Sequence, residues 1–337
     1  MMRVGVLGAG SWGTALAIHA ASTGAAVQLW ARRRELAEQL AGERCNRIYL
    51  PGVEFPDNVT PTADVSALAG CKIVFVVVPS HGYREVTRLY LQEAMAEDAP
   101  VVISATKGIE TESLARMSQV SEEEAAAADR RVHFAVLSGP TFAAELAAGC
   151  PSAAVLASSH EELASRLVEQ LSTDKLRLYS STDVVGVELA GTAKNVIAIG
   201  AGIVTGLGLG HNTLAALITR GLHEIRRLGV ASGGQSRTFA GLAGLGDLVL
   251  TCTGGLSRNR RTGMELAAGR TLEEIQGETS MVAEGVRNSL SITRLAEQQD
   301  IEMPICEQMM ALIYEGKSPQ DTIRELMTRE LKSELAL

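Results

Sequence analysis

Cysteine is sparse and badly spaced for cross-linking. Cys45, Cys71, Cys150, Cys252 and Cys306 stand apart with no C-x-x-C pair, which excludes a disulfide framework and a zinc motif and points to a reducing, cytoplasmic home. Positive charge is in deficit too. Lys and Arg total 31 against 39 Asp and Glu, a formal net charge of −8. That balance, with the lack of a helix-turn-helix segment, argues against nucleic acid as a partner and leaves room only for a local basic pocket. Unbroken apolar runs of membrane-spanning length are also missing. Asn195 to Thr219 carries no Asp, Glu, Lys or Arg, but five glycines together with His211 and Asn212 interrupt it. The stretch therefore reads as a buried helix, a glycine-rich turn and the start of another helix, with no stable membrane insertion. Arg3, the apolar residues after it and the small residues near His19 to Ser22 outline a signal peptide, but their glycine pattern assigns them a folded role. No residue cluster has metal-ligand spacing, and no repeat of fixed period runs through the chain.

What is present is ordinary globular material. A chain of 337 residues, 46% hydrophobic and 21% charged, is long enough for two domains, each with its own core. The first half alternates short Val/Ile/Leu-rich runs, "RVGVLGAG", "AVQLWAR", "KIVFVVVPS", "PVVISATKG", "HFAVLSG", "SAAVLAS" and "LRLYSS", with amphipathic segments such as Arg84 to Met95 and Glu161 to Leu171. This rhythm predicts an α/β domain: a doubly wound sheet of parallel strands with helices on both faces. The proline-bearing stretch from Cys45 to Thr62 reads as an irregular loop, and "SEEEAAAAD" as an exposed helix end. After about Thr182 helical periodicity takes over, at 184–204, 212–229, 257–268, 283–299 and 306–315, so the second domain is expected to be all helical. The expected domains are residues 1–186, binding a dinucleotide, and 187–337, carrying substrate and catalysis. From about Lys317 onward, "RELMTRELKSELAL" included, a further amphipathic helix is expected.

The motif "VGVLGAGSWGTALA" sets Gly8, Gly10 and Gly13 in G-x-G-x-x-G spacing between a strand and a helix. Gly8 would serve the tight turn, Gly10 the approach of a pyrophosphate and Gly13 close packing of helix on sheet, with the helix N-terminus facing the phosphates. At the end of the second strand, "LWARRRE" offers no acid before Glu35 for a ribose 2′-hydroxyl, whereas Arg32, Arg33 and Arg34 could hold a 2′-phosphate. NADP(H) is therefore favoured and NAD(H) stays open. The competing reading is three solvated arginines at a helix start.

Lys194 sits in the apolar run "VELAGTAKNVIAIGAGI", where an ammonium is costly to bury unless paired. It could snorkel, pair quietly with a carboxylate, lie on an exposed face, or do chemistry. Burial opposes its charge, and a paired carboxylate would support it; "GLAGLGDLVLTCT" delivers Asp247 and Thr251 after small residues that let helices approach closely. Lys107 in "VISATKG" ends a buried strand, at the edge where open α/β sheets collect ligands. In "GLSRNRRTG", Ser257 is a candidate N-cap followed by Arg258, Asn259 and Arg260, an anion cradle or simply a polar helix start.

Together, "GAGSWGTALA", "VVPSH", "ATKGIE", "SGPTFAAELAAG", "KNVIAIGAG", "ITRGLHEIRRLG", "GLAGLGDLVLTCT", "SRNRR" and "VAEGVRNS" run in order from about residue 5 to 316. In this the chain resembles the bacterial type of NAD(P)-dependent glycerol-3-phosphate dehydrogenases; the one small departure is Ala190–Gly191 where that family commonly has paired glycines. The resemblance implies a Rossmann domain followed by an all-helical one, and reversible reduction of dihydroxyacetone phosphate for glycerophospholipid synthesis. It implies Lys194 as catalytic acid/base with Asp247 beside it. Lys107, Gly139, Thr141, Asn195, Thr251, Ser257, Arg258 and Asn259 would contact the phosphorylated substrate. Gly8, Gly10, Ser11, Trp12, Gly13, Arg32, Arg33, Lys107, Ala143, Arg258, Val282 and Glu284 would contact the cofactor. A homodimer is compatible with it. Two alternatives remain: a 3-hydroxyacid dehydrogenase of related architecture, with no use for a phosphate cradle, and a dinucleotide redox sensor without turnover.

Overall fold

The computed structural model describes residues 2–95, 99–277, 283–331 and 333–334. The chain divides into two compact units, Met1–Lys107 with Ala115–Val184, and Gly108–Leu114 with Val185–Leu337.

In the first unit the chain runs through β1 (Arg3–Leu7), α1 (Ser11–Ser22), β2 (Ala26–Trp30), α2 (Arg34–Glu43), β3 (Cys45–Asn46), β4 (Leu50–Glu54) and β5 (Val59–Thr62). It continues through β6 (Ile73–Val76), α3 (Ser80–Glu93), β7 (Val101–Ser104), α4 (Met117–Ala127), β8 (His133–Ser138), α5 (Ala143–Ala147), β9 (Ser152–Ala157), α6 (Glu161–Leu171) and β10 (Leu176–Ser181). Eight strands form one sheet in the order β10-β9-β8-β7-β6-β1-β2-β5. The central strands read as apolar runs because both faces are covered: Val4, Val6, Val74, Phe75, Val102 and Ile103 are all buried.

Three expectations are corrected. The sheet is not parallel throughout, since β8 and β9 pair antiparallel. Their connection carries only the five-residue α5 and turns back at one edge instead of crossing the sheet, which parallel pairing would require. The stretch from Cys45 to Thr62 is not irregular: β3 and β4 form an antiparallel pair, and β5 adds to β2 as the sheet's last strand. Pro61 disguises β5 in the sequence, yet an edge strand tolerates a missing N–H. Finally, "SEEEAAAAD" belongs largely to α4, and its Glu124 is buried. Two arginines of α3 cover that carboxylate: Arg88 donates at 2.8 and 3.0 Å and Arg84 at 2.9 Å.

The second unit follows with α7 (Val184–Gly206), α8 (Gly210–Ala231), α9 (Ser236–Phe239), a π-helical turn at Leu242–Gly246, α10 (Asp247–Thr253) and α11 (Arg258–Ala267). It ends with α12 (Leu272–Gly277), α13 (Glu284–Gln298), α14 (Pro304–Tyr314) and α15 (Pro319–Met327). α7 is long and apolar enough to cross a membrane, but it is buried from Gly186 to Val204. A helix that is apolar all round belongs at the centre of a core, and Leu189, Val196, Ile197 and Ile199 there share one buried cluster with Leu248, Val286, Ile292 and Met309. α7 and α11 touch backbone to backbone. A Cβ on Gly202 would lie 2.0 Å from the Arg260 carbonyl oxygen, and one on Gly263 would lie 2.0 Å from that of Ile199. The expected C-terminal helix is shorter than its sequence pattern. Ser318 caps α15 by accepting from the Asp321 N–H, and the helix stops at Met327, which is 77% exposed, with Leu331 beyond it 97% exposed. Without a surface to bury those side chains, the periodic pattern does not hold a helix together.

Candidate active site

Gly8 and Gly13 take the backbone geometry that their spacing predicts. Gly8 adopts φ +115°, and a Cβ there would lie 2.4 Å from the Val77 carbonyl oxygen. A Cβ on Gly13 would lie 1.8 Å from the carbonyl oxygen of Gly8 itself, so the turn and α1 pack closer than any side chain allows. Gly10 differs: nothing lies within 4 Å of where its Cβ would be. Its slot opens outward, directly before the first turn of α1, which has neither a side-chain cap nor an acidic residue. Those free N–H groups and the helix dipole favour an anion. The Trp12 indole N–H is buried with no hydrogen-bond partner among the described residues, a cost that a polar ligand group would remove. Open cradle, uncapped helix and orphaned donor all fit a dinucleotide. The site also lies at the carboxyl end of β1, between β2 and β6, where the strand order reverses.

Past β2, the three arginines separate by partner. Arg34 pairs with Glu38 at 3.0 Å, and Arg33 donates to the Tyr49 hydroxyl at 3.2 Å. Arg32 is exposed and makes no hydrogen bond or ion pair among the described residues. At the ends of β7 and β8, the half-buried Lys107 donates to the Gly139 carbonyl at 3.3 Å, and Thr141 donates to the same oxygen at 3.2 Å. Gly139 must be glycine, because a Cβ would sit 2.7 Å from Ala154 Cα. Ala143 opens α5 just beyond.

In the helical unit Lys194 is 5% exposed. It does not snorkel. Its Nζ donates to Asp247 Oδ1 at 2.6 Å and to Thr251 Oγ1 at 2.5 Å, and Thr251 in turn donates to the Asp247 carbonyl at 2.6 Å. The π-helical turn sets Asp247 at the start of α10, and Thr251 follows one helical turn later. Such turns recur where a helix must re-aim a functional side chain. Gly244 makes the turn feasible, since a Cβ there would meet the Phe239 carbonyl oxygen at 2.1 Å. Burial of both charges costs solvation, and the short charge-assisted bonds offset it.

Beside this cluster Asn259 Nδ2 donates to Asn195 Oδ1 at 2.9 Å, while Asn259 Oδ1 accepts from the Gly285 N–H at 2.9 Å. Both asparagines therefore tie α7, α11 and α13 together. Gly285 permits it, as a Cβ would clash with Asn195 O at 2.5 Å. Ser257 is the N-cap of α11, accepting from the Arg260 N–H at 3.2 Å. Arg258, the first residue of that helix, keeps an exposed surface. Desolvation by surrounding protein nevertheless pulls its pKa below the ordinary arginine value, and the Glu284 carboxylate opposes that shift. Val282 lies outside the described residues.

Sequence reasoning missed Asn46, Tyr49 and Glu224. Asn46 stood in a stretch read as irregular, and only its partners reveal it. Glu224 carried a visible signal: with Gly221, Ile225 and Leu228 it falls on the buried stripe of α8. It accepts from the N–H groups of Ile305 at 2.8 Å and Cys306 at 3.3 Å, at the start of α14. Burial pushes its pKa up to about 7, against the pull of those two donors.

Comparison with known proteins follows the same division. Residues 3–164 match the family model described as NAD-dependent glycerol-3-phosphate dehydrogenase N-terminus, and residues 183–324 match the corresponding C-terminus. A glycerol-3-phosphate dehydrogenase (NAD(P)+) from Citrifermentans bemidjiense is 50% identical over 333 residues, 98% of each chain. One from Koribacter versatilis is 50% identical over 341 residues, covering both chains fully. The crystal structure of glycerol-3-phosphate dehydrogenase from Coxiella burnetii superposes with a TM-score of 0.92 at 39% identity, over 97% of this chain and 99% of that one. With an open dinucleotide cradle in one unit, a buried lysine–aspartate–threonine cluster in the other, and both halves matched along their length, the chain belongs to the NAD-dependent glycerol-3-phosphate dehydrogenase family.

Proposed function

We propose that the protein is an NAD(P)-dependent glycerol-3-phosphate dehydrogenase interconverting dihydroxyacetone phosphate and sn-glycerol 3-phosphate. The observation that carries this reading is the secluded Lys194 ammonium, fixed by Asp247 and Thr251. The dinucleotide, when bound, supplies or accepts the hydride at the substrate carbon. Lys194 polarises the ketone oxygen and delivers a proton as it becomes an alkoxide; in the reverse direction the neutral amine takes the hydroxyl proton. Asp247 steadies the amine's charge, and Thr251 fixes its direction. Ser257, Arg258 and the N-terminus of α11 hold the substrate phosphate, and this remote binding orients the reacting carbon. Asn195 and Asn259 set the wall of that site through their mutual bond.

Gly8, Gly10, Ser11, Trp12 and Gly13 seat the pyrophosphate side of the cofactor, with Lys107 and Ala143 along the same edge, while Gly139 and Thr141 are substrate contacts. Arg32 and Arg33 favour a 2′-phosphate, so NADPH should bind more tightly than NADH. The five free thiols support placement in the cytoplasm, where the product would feed glycerophospholipid synthesis. A homodimer is the oligomer to test by sedimentation. NADPH absorbance should fall when dihydroxyacetone phosphate is added, more slowly when NADH replaces it. Oxidation with a 3-keto acid but not with dihydroxyacetone phosphate would reject the substrate assignment, and binding without any turnover would reject the enzyme.

A further inference from the structure

Beneath the glycine turn lies a polar side chain that neither packing nor strand pairing requires. Asn46 is 0% exposed. Its Nδ2 donates twice, to the Ala9 carbonyl at 2.9 Å and to Thr14 Oγ1 at 2.8 Å. Ala9 is the residue between Gly8 and the open cradle at Gly10. Thr14 is the residue whose N–H makes the first backbone bond of α1, to the Gly10 carbonyl at 2.9 Å. Asn46 therefore grips both flanks of the cradle, turning the Ala9 carbonyl inward.

The same residue reaches outward as well. Asn46 Oδ1 accepts from the Tyr49 N–H at 3.1 Å, and the Tyr49 hydroxyl accepts from Arg33 Nη2 at 3.2 Å. The intervening residues form the turn between β3 and β4, and Leu50 at the head of β4 is buried in the sheet unit's core. Hydrogen bonds on either side of the Tyr49 side chain thus link the pyrophosphate turn to one of the arginines beside the second strand.

We propose that the β3–β4 hairpin is a cofactor-positioning device: Asn46 sets the shape of the pyrophosphate turn, and Tyr49 holds Arg33 for recognition of the adenosine 2′-phosphate. It rests on the dinucleotide reading above, and it assigns the two residues separable effects. Every nicotinamide dinucleotide shares the pyrophosphate, so Asn46 acts on all of them. Only the phosphorylated form engages Arg33, so Tyr49 acts on discrimination.

Equilibrium binding of NADPH and of NADH, followed by nucleotide fluorescence with the full chain and without substrate, tests this. Tyr49→Phe removes one hydroxyl that orients a charged donor, and should weaken NADPH about fivefold while NADH moves less than about twofold. Asn46→Asp keeps the size of the side chain but replaces two donated hydrogens with a carboxylate facing the Ala9 carbonyl. It should weaken both cofactors by about tenfold or more. Equal changes for both cofactors in Tyr49→Phe, or none, overturn the role of the hairpin in discrimination. Unchanged binding in a folded Asn46→Asp overturns its role in the turn. Should Asn46→Asp fail to fold, Thr14→Val, which removes one of the two bonds to Asn46, takes its place with the same expectation at smaller size. Failure of the wild-type chain to bind either nucleotide would instead sink the dinucleotide reading itself.

Discussion

The two units handle charge in opposite ways. The sheet unit offers a ligand mainly backbone N–H groups, exposed arginines and an empty slot at Gly10, and its buried Glu124 is neutralised by arginines reaching in from the surface. The helical unit instead buries Glu188, Lys194, Glu224 and Asp247 within its own interior. A backbone cradle suits a large cofactor that brings its own reactivity, whereas proton transfer needs an ionisable group held away from water. Mutations should therefore fall into two patterns.

The largest effect is expected for Lys194→Ala: kcat should drop about 10³-fold while the NADPH dissociation constant stays put, because the amine serves the proton and not the cofactor. Near wild-type turnover would erase the contrast between the units. Next comes the titration of Glu224. Its folded carboxyl keeps its proton up to about pH 7, whereas the unfolded one loses it near 4.5. The folded state thus binds more protons in that window, so this contribution to stability is full below about 4.5, declines as pH rises to about 7 and is then constant. Urea unfolding from pH 4.5 to 8 should show a decline on the order of 3 kcal/mol that Glu224→Gln removes. An identical slope in both proteins would mean the carboxyl ionises as if exposed.

On the sheet side, Gly13→Ala places a methyl against the Gly8 carbonyl and should cost about 2 kcal/mol of stability, with weaker binding of both nucleotides. Calorimetry and nucleotide titration check this, and tolerance of the methyl would show that the turn is not tightly packed. The smallest expected change is for Arg258→Lys, which keeps the charge but loses the fork. It should lower kcat/KM for dihydroxyacetone phosphate about tenfold, with a smaller loss of NADPH affinity. A shift in NADPH affinity of the same size would place Arg258 with the cofactor as much as with the substrate.

This contrast also explains what could be read in advance. The glycine turn was legible because backbone geometry writes itself into local spacing: three glycines within six residues specify strand, turn and helix. The seven apolar strands and the long helices were legible for the same local reason. Lys194 was conspicuous by its surroundings, but its partners Asp247 and Thr251 lie 53 and 57 positions away, and only family resemblance named them. Nothing local marks the π-helical turn that aims Asp247. β5 was hidden by Pro61, and the antiparallel β9 by a connection whose direction depends on the finished sheet. Asn46 belongs to the same class: an asparagine in a proline-flanked stretch reveals its purpose only when Ala9 and Thr14 are seen against it.

The contact between Gly202 and Gly263 gives the helical unit a ruler. Lys194 hangs from one of the two touching helices and Arg258 from the other, so their spacing is gauged by backbone against backbone, with no compressible side chain between. In the proposed reaction, that fixed spacing would gauge the number of carbons between a phosphate and a carbonyl. A ketone one carbon too distant would be held by its phosphate and yet present the wrong atom to the amine.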